Sequence, residues 1–207
     1  MSDCGVTLQD ESVAIQARHL LVITQAIFFG VLLLCFFINH GSTAQADGIS
    51  FYGVYAPTIE LLIVGFTAGA FGLWRTAWYF SRTDAPKFSV IGLRIIALEL
   101  FLLLLTPYNK GTFFNWAHMV VGVSMSLVQL GIVYLLLKRR RSALCVTGLV
   151  IQLLGGVIGA FSLPDWNFMF LLQGETLFEV GFSLCLIEWT YAVFARQNES
   201  ALAAGEN

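Results

Sequence analysis

Charged residues are scarce in this chain, and extended basic clusters are nearly absent. Of its 207 residues, 12% are charged, 11 are lysine or arginine, and the formal net charge at pH 7 is −2. This balance leaves no broad basic surface, so no nucleic acid is expected as a partner. The charge content is far below that of a soluble globular domain, and the mean hydropathy is +0.78. The composition therefore predicts an integral membrane protein.

Cysteine and histidine are also scarce, which excludes several kinds of site. The four cysteines form no CxxC pair, so neither a zinc site nor a disulfide framework is predicted. The histidines are His19, His40 and His118, and no two of them lie at one depth to hold haem. No HExxH motif is found. We therefore expect no metal and no cofactor.

Six apolar stretches fill most of the chain. Each is about 20 residues or longer, enough to cross ~30 Å of hydrocarbon as a helix. The stretches are 20–38, 59–80, 88–107, 113–137, 143–163 and 168–194. They predict an all-α, polytopic membrane protein built as a six-helix transmembrane bundle.

The bundle is predicted to be a single domain spanning residues 18–195, because the connections are short and one compact core suffices. Residues 1–17 are predicted to form a cytoplasmic segment before it. The polar tail, residues 196–207, is predicted to be disordered.

Basic residues outside the spans lie almost entirely at one end of the predicted bundle. They are Arg18, Arg82, Lys87, Lys138, Arg139, Arg140, Arg141 and Arg196. The alternate loops contain only Lys110. Because basic loops stay on the cytoplasmic side, the pattern predicts a multi-pass protein of the cell membrane with both termini cytoplasmic.

Polar side chains inside the spans are the candidates for a functional site, because such groups are costly in hydrocarbon. Glu175 and Glu179 are four residues apart and share one face of the sixth span. We expect an outward-facing polar cavity that binds a ligand, lined by spans two, three, four and six. Its candidate residues are Glu60, Glu99, His118, Gln129, Glu175 and Glu179.

A second charged set lies nearer the predicted cytoplasmic side. Arg75, Arg94 and Glu188 fall at similar depths in spans two, three and six. Two cations and one anion at one depth predict a structural ion cluster. Snorkelling of the arginines and binding of a lipid phosphate are the alternatives.

Two further features concern packing. The first loop, residues 40–57, is rich in aromatic and β-branched residues, which favours a short strand, an interfacial plug, an aromatic belt or a lid over a cavity. GxxxG spacing occurs at Gly65 and Gly69 and again at Gly155 and Gly159. Such glycines predict close helix packing inside the bundle, and a homo-oligomer or a membrane-complex partner through the same faces is the open alternative.

Three short matches carry a resemblance to a known family. They are Gly48-Ile-Ser-Phe-Tyr-Gly-Val-Tyr-Ala-Pro in the first loop, Asn115-Trp-Ala-His118, and Gly174-Glu-Thr-Leu-Phe-Glu179. With six spans and cytoplasmic termini, residues 18–195 resemble the FRAG/DRAM/Sfk-like membrane family and its bacterial relatives. Eukaryotic members are linked to lipid-anchor remodelling and to lysosomal or plasma-membrane lipid organisation. The resemblance implies that His118 and the span-six glutamates belong to a shared polar site.

These observations favour a membrane protein that binds, and in doing so moves or organises, a lipid or small amphipathic ligand in the outward-facing cavity. Membrane lipids are then its expected partners. One alternative is a membrane-embedded lipid-modifying enzyme using His118 with Glu175 or Glu179. Another is a structural subunit of a membrane complex.

Overall fold

Helices account for nearly all of the described chain. The computed structural model describes residues 4–82, 85–139, 141–162 and 169–205, with side chains only between residues 16 and 191. Its α-helices are α1 (Cys4–Ile38), α2 (Ser42–Asp47), α3 (Ile59–Phe80), α4 (Lys87–Leu105), α5 (Thr112–Arg139), α6 (Ala143–Phe161) and α7 (Leu171–Gly205). Two 3-10 turns, Ile49–Gly53 and Tyr108–Lys110, lie between them, and these ranges contain no strand. The predicted all-α fold is confirmed.

Five helices are long and apolar enough to cross a membrane, namely α3, α4, α5, α6 and the Gln16–Ile38 part of α1. The part of α7 whose side chains the structure describes, residues 171–191, is not among them. The helical bundle is thus compatible with a membrane protein. The sixth span, the bilayer itself and the side of the termini stay predictions.

Neighbours in sequence are also neighbours in space. Helix α1 packs on α3, α3 on α4, and α4 on α5, while α6 pairs with α7. Because α7 also contacts α1 and α5, it joins the two groups into one bundle. The core contains apolar side chains from most of these helices, including Leu21, Leu93, Ile96, Phe182 and Leu186.

Local sequence sets the helix ends. Ser142 caps α6, its hydroxyl oxygen accepting the Cys145 N–H at 3.0 Å. Pro86 precedes α4 and lacks an N–H, which a helix start does not need. Gly111, with φ of +114°, turns the chain between α4 and α5. This reversal brings the end of α4 beside the first turns of α5.

The first loop and the chain ends differ from the simplest sequence expectation. The first loop forms α2 and a 3-10 turn, so the strand alternative is wrong for these residues. Residues 4–17 continue α1, and α7 runs on through most of the tail for which disorder was predicted. The alanine, leucine and glutamate of residues 199–204 favour helix, which is the physical reason for that extension.

Helices α6 and α7 approach closely because glycines face each other across their contact. An ideal Cβ on Gly155 would lie 2.6 Å from the Gly174 carbonyl oxygen, and one on Gly148 would lie 2.8 Å from that of Gly181. In the other GxxxG pair, Gly65 faces Val31 of α1. Both motifs are therefore used for packing inside the bundle, and the oligomer alternative stays a prediction.

Replacing Gly155 with alanine tests this contact. The added methyl group would overlap backbone atoms of α7, which cannot rotate away, so the helices must separate. Overpacking of this kind costs about 1–3 kcal/mol. We expect Gly155→Ala to lower the Tm of the detergent-solubilised protein, measured by tryptophan fluorescence.

Gly131→Ala is the matched control, because an ideal Cβ at Gly131 of α5 has nothing within 4 Å. Its Tm is expected to stay unchanged or to rise slightly, since alanine favours helix more than glycine. Equal Tm changes for the two variants would contradict the packing assignment.

Candidate functional site

Residues 42–53, which we call the covering segment, lie across one end of the bundle. We call this end of the molecule the loop end. The segment consists of α2 and the first 3-10 turn, and it packs on α7 and α3. Its side chains Ile49, Phe51 and Tyr52 are buried. The Tyr52 hydroxyl donates to the Asn39 carbonyl at 2.9 Å, and burial raises the pKa of Tyr52 to about 12. The hydroxyl therefore stays a donor at neutral pH, and the segment is firmly anchored.

Glu175 of α7 holds the covering segment by its backbone. The Ile49 N–H donates to the Glu175 carboxylate at 2.6 Å. The preceding residue, Gly48, has φ of +72° and ψ of −159°, a conformation nearly restricted to glycine. A Cβ at Gly48 would also overlap the Glu175 carboxylate. Glycine is thus required at this position both for its backbone conformation and for the approach of the carboxylate.

His118 of α5 connects the covering segment to the end of α4. Its Nδ1 lies 2.7 Å from the Thr106 carbonyl oxygen, and its Nε2 lies 2.6 Å from the Ser50 hydroxyl. A carbonyl oxygen only accepts, so Nδ1 carries the hydrogen of the neutral ring and donates it. Nε2 is then left with a free lone pair and accepts the Ser50 hydroxyl hydrogen.

A third contact joins the covering segment to the second 3-10 turn. The Tyr108 hydroxyl donates to the Asp47 carboxylate at 2.8 Å. The rings of Tyr108 and His118 have centroids 6.0 Å apart. Side chains of α7, α5 and the second 3-10 turn therefore each form a hydrogen bond with the covering segment.

A second cluster of polar side chains lies one turn of α7 beyond Glu175, further from the covering segment. Gln129 of α5 is almost fully buried, and its Nε2 donates to both carboxylate oxygens of Glu179, at 3.0 and 3.1 Å. Gln25 accepts the Ser183 hydroxyl hydrogen at 2.8 Å. A cavity of about 20 Å³ lies among Gln25, Gln129 and Glu179, which is room for about one water molecule.

The structure places the six predicted ligand-binding residues in four different settings. His118 and Glu175 meet consecutive residues of the covering segment, and Gln129 binds Glu179 directly. Glu99 is buried in α4, with Oε2 lacking a hydrogen-bond partner. Glu60 is exposed at the start of α3. Their role in ligand binding stays a prediction.

Several residues that form the hydrogen bonds at the loop end were not identified from the sequence. They are Asp47, Ser50, Thr106 and Tyr108. Thr106 contributes through a backbone carbonyl, which leaves no trace in the sequence. Ser50 lies in the conspicuous first loop, but its polarity alone does not distinguish it from other loop serines.

The arginines of the predicted ion cluster lie against aromatic rings. Arg75 lies over the Trp78 ring at 4.9 Å from its centroid, and Arg94 over the Trp74 ring at 5.7 Å. Such contacts are cation–π interactions. Among the side chains described, no ion pair joins either arginine to Glu188. The cluster therefore stays a prediction without a direct contact.

Within the described ranges, no group of three or more histidine, cysteine, aspartate or glutamate side chains is arranged to hold a metal. Comparisons of the chain with protein families, curated proteins and solved structures found no match. The resemblance to the FRAG/DRAM/Sfk-like family stays a prediction.

Gly48→Ala should loosen the covering segment. The substitution adds backbone strain of about 1–3 kcal/mol and an overlap with the Glu175 carboxylate. We expect faster chymotrypsin cleavage at Phe51 and Tyr52, followed by mass spectrometry of the fragments.

Gly111→Ala is the control for strain alone, because Gly111 also has a positive φ but its Cβ would meet nothing within 4 Å. In this variant the covering segment should remain as protected as in the wild type. If both variants were cleaved at the same rate, the assigned contact between Gly48 and Glu175 would be refuted.

The Tyr108–Asp47 hydrogen bond predicts a pH-dependent stability. Desolvation and the hydrogen bond to Asp47 raise the pKa of Tyr108 above its ordinary value near 10. A raised pKa in the folded state means that the stabilisation is complete below about pH 10 and decreases above it. We expect the free energy of unfolding of the wild type to exceed that of Tyr108→Phe by about 1 kcal/mol at pH 7.

Denaturation of the solubilised protein between pH 7 and 11 measures this difference. It should shrink above about pH 10 as the wild-type hydroxyl ionises. A difference independent of pH would show that the hydrogen bond is not responsible.

Proposed function

We propose that the chain is an integral protein of the cell membrane, crossing it six times through α1, α3, α4, α5, α6 and α7, with both termini cytoplasmic. The first support is the apolar outer surface, where Phe37, Leu105 and Phe113 are 70%, 69% and 78% exposed. So much exposed apolar surface suits lipid and not water. The second support is the basic block at the α5–α6 connection, which favours the cytoplasmic side.

We further propose that the protein binds a membrane lipid at the loop end, in an open crevice that we infer between the first half of α5 and α7. The observation that carries this proposal is that no residue from Thr112 to Val128 of α5 is buried. Burial in α5 starts at Gln129. The first half of α5 therefore leaves a lateral approach to the polar groups from the surrounding hydrocarbon.

The walls of this crevice suit an amphipathic molecule. On α5, Gly122 and Met125 share the helix face of His118 and are only partly buried, so this face offers apolar contact for an acyl chain. His118 and Glu175 are only partly buried, so polar groups stand at the end of this path. The water-sized cavity beside Glu179 is too small for a lipid. The proposed ligand therefore occupies the open crevice and not that cavity.

Charge favours a headgroup that donates hydrogen bonds or carries an ammonium. Asp47, Glu175 and Glu179 all lie at or near the loop end. Lys110 is the only lysine or arginine in residues 36–60, 104–118 and 158–175. An amine or hydroxyl headgroup can donate hydrogen bonds to these carboxyl groups, and an amine also complements the charge of Asp47, which disfavours an anionic headgroup.

Native mass spectrometry of the gently solubilised protein tests this function. Mixed micelles would contain phosphatidylethanolamine and phosphatidylglycerol in equal amounts. We expect retained phosphatidylethanolamine in the wild type and its loss in His118→Ala, which removes a polar group from the crevice. Loss is also expected in Glu179→Gln, which replaces the carboxyl group next to the crevice by an amide.

Glu188→Gln is the matched control, because it makes the same change on α7 several turns away from the crevice. It should retain lipid as the wild type does. Equal retention in all variants, or preferred retention of phosphatidylglycerol, would contradict the proposed site.

A further inference from the structure

The hydrogen bonds of His118 form a directed chain from a backbone carbonyl to a serine. Thr106 accepts from Nδ1 at 2.7 Å, and Nε2 lies 2.6 Å from the Ser50 hydroxyl. The carbonyl fixes which ring nitrogen carries hydrogen, so the lone pair of the neutral ring points at Ser50. A hydroxyl, a base and a group that orients the base are the parts of an activated nucleophile.

Ser50 is also held on a rigid support and remains reachable. Its neighbours Ile49, Phe51 and Tyr52 are buried, whereas Ser50 itself is only partly buried. The Ile49 N–H is bound by Glu175, which fixes the backbone one residue before the serine. Positioning of this kind is what a reacting group requires.

We propose that Ser50 is a catalytic nucleophile and His118 its general base, and that together they cleave carboxylic esters. That the ester belongs to a membrane lipid rests on the proposed function. His118 is only partly buried, on the half of α5 that contains no buried residue, and the ester groups of glycerolipids lie where the hydrocarbon meets the headgroups, near the ends of spanning helices.

The chemical steps balance without a further co-reactant except water. The Ser50 Oγ bonds to the ester carbonyl carbon while its proton passes to His118 Nε2. The bond from that carbon to the alkoxy oxygen breaks, and Nε2 gives the proton to the departing alcohol. Water then attacks the acyl-serine with the ring again accepting a proton, which releases the carboxylic acid and restores the Ser50 hydroxyl.

A fluorophosphonate probe tests the activated serine directly, because it reacts with nucleophilic serines and needs no bound lipid. The full-length protein, in detergent, would be labelled and the adduct located by peptide mass spectrometry. We expect labelling of Ser50 in the wild type, none at this position in Ser50→Ala, and a rate reduced by about 100-fold in His118→Gln.

Ser42→Ala is the matched control, because Ser42 is an exposed serine of the same covering segment. It should be labelled as fast as the wild type, and heat-denatured wild type should not be labelled. Size-exclusion profiles establish that each variant is folded.

Absence of a Ser50 adduct in the folded wild type overturns the inference, and so does undiminished labelling in folded His118→Gln. If His118→Gln fails to fold, the wild-type result alone decides. Ser50 labelling without retained lipid would uphold the nucleophile and overturn the lipid ligand. Retained lipid without Ser50 labelling would uphold the lipid ligand and overturn the nucleophile.

Discussion

The hydrogen bond from the Ile49 N–H to the Glu175 carboxylate is the contact on which the loop end depends. Ile49 begins a 3-10 turn, so its N–H has no partner within that turn and needs an acceptor from elsewhere. Glu175 provides one from a helix 126 residues away. Fixing Ile49 also fixes Ser50, and through Ser50 the segment meets His118. Gly48 makes the approach of the carboxylate possible.

Glycine packing determines where that carboxylate lies. Because Gly148 and Gly155 leave room for the backbone of α7, the α6–α7 pair is tight along its length. Helix α7 can then contact α1, α5 and the covering segment together. Helix α5, by contrast, is buried only in its second half. Tight packing on one side of α7, and the lack of buried residues in the first half of α5, are the grounds for treating the α7 glutamates as a candidate site.

The main features of the fold could be predicted from composition and spacing. The apolar stretches matched α3–α6 closely, whereas α1 begins before its stretch and α7 continues past its own. The costly polar residues marked His118, Gln129, Glu175 and Glu179, which the structure finds in hydrogen bonds. The partners of these residues could not be predicted. Ser50 is 68 positions from His118, and the Thr106 contact uses a backbone atom.

By itself, the sequence determined where the helices lie and which side chains carry chemistry, because hydropathy and charge act locally along the chain. Only the tertiary structure decided how each helix is rotated. In an apolar bundle the outward faces are as apolar as the core, so the pattern does not state which face packs. The placement of Glu60 on the surface, and of Glu179 against Gln129, followed from close contacts between distant residues, which no local pattern encodes.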